Sequence, residues 1–290
     1  MQEWPILVFT ALLTSAVGLA GYTALAGYWL HDALQERQRF QVLRLPMLVA
    51  SGLAVAGLAA SFAHLGYPMN APNAIRHVAS SWLSREILLV SGFIGAICLT
   101  TLWALRSGKA QSRLLSGAFL IGVLGVLAMG EIYRNTSVVT WMHLNTHVMF
   151  LGGLLLMGSV LGLLLIAPGV AGRVDPATTR KLFAATAALV LAGLAAQLLV
   201  QPSYVAAIGA SPLNEVVTYP LHPVEAFEAN GGLRAARWVL GLAGAALMML
   251  AAWQVSRNGE RGRWPLAAVA GLLLLSGEVV GRYVFYAIHG

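Results

Sequence analysis

Charge is what this sequence has least of: Asp, Glu, Lys and Arg make up 10% of 290 residues. Soluble domains carry roughly 25%. With 58% hydrophobic residues and a mean hydropathy of +0.75, the polypeptide cannot cover a water-facing surface, so it is an integral membrane protein. Cysteine is nearly absent too. The single thiol, Cys98, excludes a disulfide framework. It also excludes an iron–sulfur cluster held by this protein alone, which needs about four ligands. No Lys or Arg precedes the first apolar run. That run therefore reads as a true span rather than a cleaved signal peptide. The net charge of +7 requires no nucleic acid. In membrane proteins Lys and Arg gather in loops on the cytoplasmic side.

A helix needs roughly 20 apolar residues to cross the hydrocarbon. Eight stretches qualify: 5–28, 45–65, 86–105, 114–133, 146–167, 181–200, 235–255 and 265–286. The fold class is all-α, a single membrane domain over 1–290 with no soluble domain left over. Of the eighteen basic residues, twelve fall in the loops after spans one, three, five and seven, three to each loop. These are Arg37, Arg39, Arg44, Arg106, Lys109, Arg113, Arg173, Arg180, Lys181, Arg257, Arg261 and Arg263. They mark the cytoplasmic face and place both termini outside. Residues able to do chemistry gather on the other face: His64, His77, Glu86, Tyr133, His143, His147, Glu215, Tyr219, His222, Glu278, Arg282 and His289 among them.

The densest stretch is "HLGYPMNAPNAIRHVASSWLSREI", 64–87. Gly66 and Pro68 end the second span, and Ser84 suits the N-cap of the third, with Glu86 just inside it. His64 and Glu86 can be read as helix-end groups. Together they can also line one pocket, an imidazole and a carboxylate able to accept protons at the outer interface. Near the end, Glu278 and Arg282 stand at i and i+4, where they can pair. Gly277 and Gly281 have the same spacing and permit close helix approach. Charges at that depth usually face the bundle interior, a partner or a water-filled path. In "EIYRNTSVVTWMHLNTH", 131–147, His143 and His147 are an i, i+4 pair if the helix begins early enough. A zinc site needs three or four ligands, so no metal is expected. A bis-histidine haem needs two imidazoles within the spans. The histidines lie at helix ends instead, so no haem is expected either.

The stretches "EWP", "HLGYPMNAPN", "SWLSREI" and "GEVVGRYVFYAIH" resemble, in that order, the membrane anchor subunit of the dimethyl sulfoxide reductase family. The likeness spans essentially the whole sequence, although 100–130 and 170–260 match only in hydropathy and the loop 201–233 does not match. It implies an anchor in a bacterial inner membrane, working in anaerobic respiration. The anchor would bind an iron–sulfur, ferredoxin-like subunit and a molybdopterin catalytic subunit, oxidise menaquinol without haem, and pass electrons to the nearest cluster. It further implies that His64 and Glu86 bind the quinol, with Glu278 and Arg282 forming the pocket wall or the dock. A haem-bearing anchor and a secondary transporter are the competing readings. Transporters often carry repeated halves, and no repeat between 1–135 and 145–290 is visible in the sequence.

Overall fold

A computed structural model describes residues 4–63, 68–210, 220, 222–258 and 264–288. The elements are α1 (Trp4–Trp29), α2 (Glu36–Phe62), α3 (Trp82–Ser107), α4 (Ser112–Arg134), α5 (Asn145–Val170), α6 (Pro176–Gly209), the short α7 (Pro223–Ala229), α8 (Gly231–Asn258) and α9 (Trp264–Ala287). Pro68–His77 and Val139–Trp141 form 3-10 turns between them. Eight of these helices are long and apolar enough to span a bilayer, and no strand occurs among the described residues. Each helix covers its expected span and runs past it by one to several residues at most ends. α2 is the exception at its far end, where the helix closes at Phe62 with Ala63 as its cap.

The third span begins a turn earlier than the Ser84 cap predicts. Ser81 is the N-cap, its hydroxyl accepting from the Ser84 amide at 3.4 Å. The Ser84 hydroxyl instead donates to the Ala74 carbonyl in the preceding 3-10 turn. Glu86 is thereby moved out of the first turn, where a carboxylate would have complemented the helix dipole. At the other end of α3, Gly108 closes the helix with φ +63, a left-handed cap that glycine adopts without steric cost.

The protein folds as two four-helix units with one packing pattern. In the first, α1 lies against α2 and α4, α2 against α3, and α3 against α4. In the second, α5 lies against α6 and α9, α6 against α8, and α8 against α9. The repeat that the sequence hides is therefore present in the arrangement of helices. α1 and α5, the two most enclosed spans, join the units. They cross at Gly18 and Gly158, where a Cβ on Gly18 would sit 2.1 Å from the Leu154 carbonyl oxygen. Lipid offers no hydrophobic drive between helices, so such small-residue crossings supply contact through backbone approach. The Tyr286 hydroxyl donates to Thr10 Oγ1 at 3.2 Å, which brings the start of α1 and the end of α9 together. This end of the bundle is called the termini end below.

Candidate functional site

At the termini end, α1 to α4 enclose a cavity of about 280 Å³. Phe9 of α1, Leu58 and Phe62 of α2, Ile87 and Val90 of α3 and Ile132 of α4 give it apolar walls. Its polar groups are few: Glu86, Tyr133 and two serines. Glu86 is only 7% exposed. No hydrogen bond or ion pair to its carboxylate occurs among the described residues. A buried ionisable group without a partner is costly in a membrane protein. It is retained where it meets a guest, a proton or water. His64, expected beside it, lies outside the described residues, as do Glu215, Tyr219 and His289. The α2 helix that leads to His64 nonetheless contributes Ser61 and Phe62 to the cavity wall.

Tyr133 is held by an aromatic cage. Its ring lies 5.0 Å from Trp141 and 5.5 Å from both Phe150 and Phe285, centroid to centroid. The edge-to-face pairs with Trp141 and Phe285 fix ring orientation as well as burying area. The hydroxyls form a directed series. The Tyr133 and Tyr286 hydroxyls are 2.7 Å apart, and Tyr286 donates onward to Thr10. Thr10 in turn donates to the Leu7 carbonyl at 3.2 Å. Each hydroxyl has one hydrogen, so Tyr133 is the donor to Tyr286. Tyr286 was not singled out in the sequence. It completes a stripe with Glu278 and Arg282 at i, i+4 and i+8, one face of a helix.

Glu278 and Arg282 are both buried, at 6% and 2% exposure. The expected close pair is not formed: no ion pair within 4.0 Å joins them. Both press instead against α5 at Gly153. A Cβ there would lie 2.9 Å from Glu278 Oε2 and 3.1 Å from Arg282 Nη2. The Arg282 guanidinium covers the Phe150 ring at 4.3 Å, and its Nη2 reaches Thr14 Oγ1 at 3.5 Å. Neither residue lines the Glu86 cavity; they stand behind the tyrosine pair. At this burial neither offers a surface to a docking partner. The paired glycines act as their spacing predicts. Gly277 and Gly281 let α8 approach so closely that a Cβ on Gly281 would meet Arg237 Nε at 2.5 Å.

The second helical unit holds the counterpart of the Glu86 cavity between α5, α6, α8 and α9. There Tyr204, Phe227 and Arg237 leave only about 30 Å³. Arg237, 7% exposed, donates to Gln197 Oε1 at 2.8 Å. Sequence reasoning did not find this arginine, because its partner is some 40 residues away on another helix.

His143 and His147 do not form a helical pair, since α5 starts at Asn145. His143 Nδ1 accepts from the Asn145 amide at 3.1 Å. Partial burial, and then the nearby Arg134 charge, push the His143 imidazole below its ordinary pKa, which favours its neutral form. His147 Nε2 lies 3.2 Å from Glu131 Oε1. No group of three metal-ligating side chains occurs among the described residues.

Comparison with known proteins places this architecture. The sequence profile of a family described as DMSO reductase anchor subunit (DmsC) matches residues 1–288. The C subunit of the anaerobic dimethyl sulfoxide reductase of Escherichia coli (strain K12) is 32% identical over 302 residues, covering 99% of this protein and 95% of that one. The YnfH subunit of an anaerobic dimethyl sulfoxide reductase of the same strain is 29% identical over 292 residues, covering 99% and 95%. The corresponding C subunit from Haemophilus influenzae (strain ATCC 51907 / DSM 11121 / KW20 / Rd) is 25% identical over 299 residues, covering 100% and 95%.

Proposed function

This protein belongs to the family of DMSO reductase anchor subunits, and we propose that it binds menaquinol in the Glu86 cavity, oxidises it there and hands the electrons to an iron–sulfur subunit seated on the termini end. In this reading the termini end is the periplasmic side of a bacterial inner membrane, because the basic loops lie at the opposite end. A molybdopterin subunit then reduces the terminal acceptor.

The observation that carries the reading is Glu86: a buried carboxylate, unpartnered among the described residues, in an apolar cavity beside Tyr133. Oxidising a hydroquinone removes two protons and two electrons. In this reading Glu86 accepts one hydroxyl proton and His64, the residue after Ala63 in the sequence, accepts the other. Apolar walls suit the ring and the isoprenoid tail. The electrons leave for an acceptor on another subunit, since one cysteine cannot hold a cluster.

The test is quinol-dependent turnover of the assembled complex. Glu86→Gln keeps the shape of the side chain and removes the base. Turnover is expected to fall by roughly 10² or more, with assembly intact. Unchanged turnover in both Glu86→Gln and His64→Ala overturns the site. The reading calls for no haem in this subunit, and a Soret band from the purified protein would overturn that part.

A further inference from the structure

At the end of the bundle opposite the termini end, α2 begins where α3 stops, and a hollow of about 530 Å³ lies between them. Arg37, Gln41 and Arg44 of α2 stand at i, i+4 and i+7, one face of a helix, and all three line it. Ser107, Gly108 and Lys109 form the other wall, where Gly108 closes α3. Deeper in the span the Ser51 and Thr101 hydroxyls, 2.9 Å apart, join the two helices. About one turn from that contact toward the hollow stand Leu48 of α2 and Leu105 of α3, 45% and 42% exposed.

The charge of the hollow is unbalanced. Its cations are Arg37, Arg44 and Lys109, all exposed, and no hydrogen bond or ion pair to their side chains occurs among the described residues. Its one carboxylate, Glu36, lies 2.9 Å from Arg39 on the buried side of α2. Asp32, in the turn before α2, does not line it. With Arg39 included, four cations meet one carboxylate. A surplus of positive charge at the edge of a span attracts phosphate and repels the ammonium group of a zwitterionic lipid. The exposed leucines beside it add contact only for a ligand that also has an apolar tail.

We propose that this hollow is an anionic phospholipid site, with the headgroup phosphate held between Arg37, Arg44 and Lys109 and the acyl chains lying along Leu48 and Leu105. The lipid ties the start of α2 to the end of α3, the two helices whose opposite ends wall the Glu86 cavity. The inference rests on the membrane placement of the spans and not on the quinol reading.

The test titrates the assembled complex, stripped of lipid in a neutral detergent, with short-chain phosphatidylglycerol or phosphatidylcholine and counts bound lipid by native mass spectrometry. Phosphatidylglycerol is expected to bind the wild type at least about ten-fold more tightly than phosphatidylcholine, and excess inorganic phosphate should not displace it. Arg37→Gln combined with Arg44→Gln should weaken it by roughly 30-fold, whereas Arg37→Lys with Arg44→Lys should hold it within a few-fold. Arg173→Gln with Arg180→Gln removes the same charge from the same end of the second helical unit and should leave it unchanged. Equal weakening in the two Gln pairs makes the effect a general attraction of a basic face for anionic lipid and overturns the site. So does equal affinity for the two lipids, or displacement by inorganic phosphate, which would mark a free-anion site. Lys109→Gln, outside any helix, reads the same contact if the α2 pair does not assemble. Roughly five-fold weakening is expected there, and no change overturns the proposal.

Discussion

The two halves of this protein share a helix arrangement and differ in what they do with it. In the first, α1 to α4 leave a cavity of about 280 Å³ around an unpartnered Glu86. In the second, the same place is filled by Tyr204, Phe227 and Arg237, leaving about 30 Å³. The sign of the buried charge is reversed, and its satisfaction is reversed as well. Arg237 is bonded to Gln197, whereas Glu86 makes no hydrogen bond among the described residues. On the quinol reading, one half devotes its polar interior to a guest and the other to itself. A repeated scaffold can thus separate binding from stability without any change of topology.

Paired substitutions can break that comparison most sharply. Glu86→Leu is expected to lower quinol-dependent turnover by 10²-fold or more while leaving thermal stability unchanged or raised, because a buried uncompensated carboxylate is removed. Arg237→Leu should do the reverse. It strands Gln197 and withdraws a charge from near Glu278, costing about 3 kcal/mol in stability. Turnover of the surviving complex should stay within a few-fold of the wild type. If both variants lose the same property, the halves are not specialised. Arg282→Met is expected to cost about 2 kcal/mol, read as a lower unfolding midpoint in detergent, with little change in quinol affinity; a normal midpoint with weakened affinity would move Arg282 into the pocket. The smallest effect belongs to Tyr133→Phe. It removes one hydroxyl from the series, worth about 1 kcal/mol and an approximately five-fold rise in the KM for quinol; an unchanged KM would remove Tyr133 from the site.

Much of the fold was legible because membrane helices declare themselves by length and apolarity, and each span that hydropathy picked out has its own long helix, with only α2 ending short. The repeat was not legible, because each span needs only to be apolar. Which helix it packs on is set by a few small residues, such as Gly18 against Gly158. Glu86 could be picked out as a charge in the wrong place. Its neighbour Tyr133 could not be tied to it, since only tertiary packing brings α4 to α3. The i, i+4 rule put Glu278 and Arg282 on one face but could not say what that face met. The glycine opposite them, Gly153, leaves room for both groups against α5. His143 and His147 looked paired because the boundary between turn and helix was not visible.

The hydroxyl series runs from Tyr133 through Tyr286 and Thr10 and stops on the Leu7 carbonyl, a group that cannot pass a proton on. Along these bonds the Tyr133 hydrogen points inward, toward Tyr286. What Tyr133 has left to offer the cavity is lone pairs, as Glu86 does when ionised. Two acceptors side by side grip a guest that arrives with hydroxyl hydrogens and loosen on one that has surrendered them. On the quinol reading the pocket therefore recognises its substrate by redox state, and completion of the chemistry is itself the signal to leave.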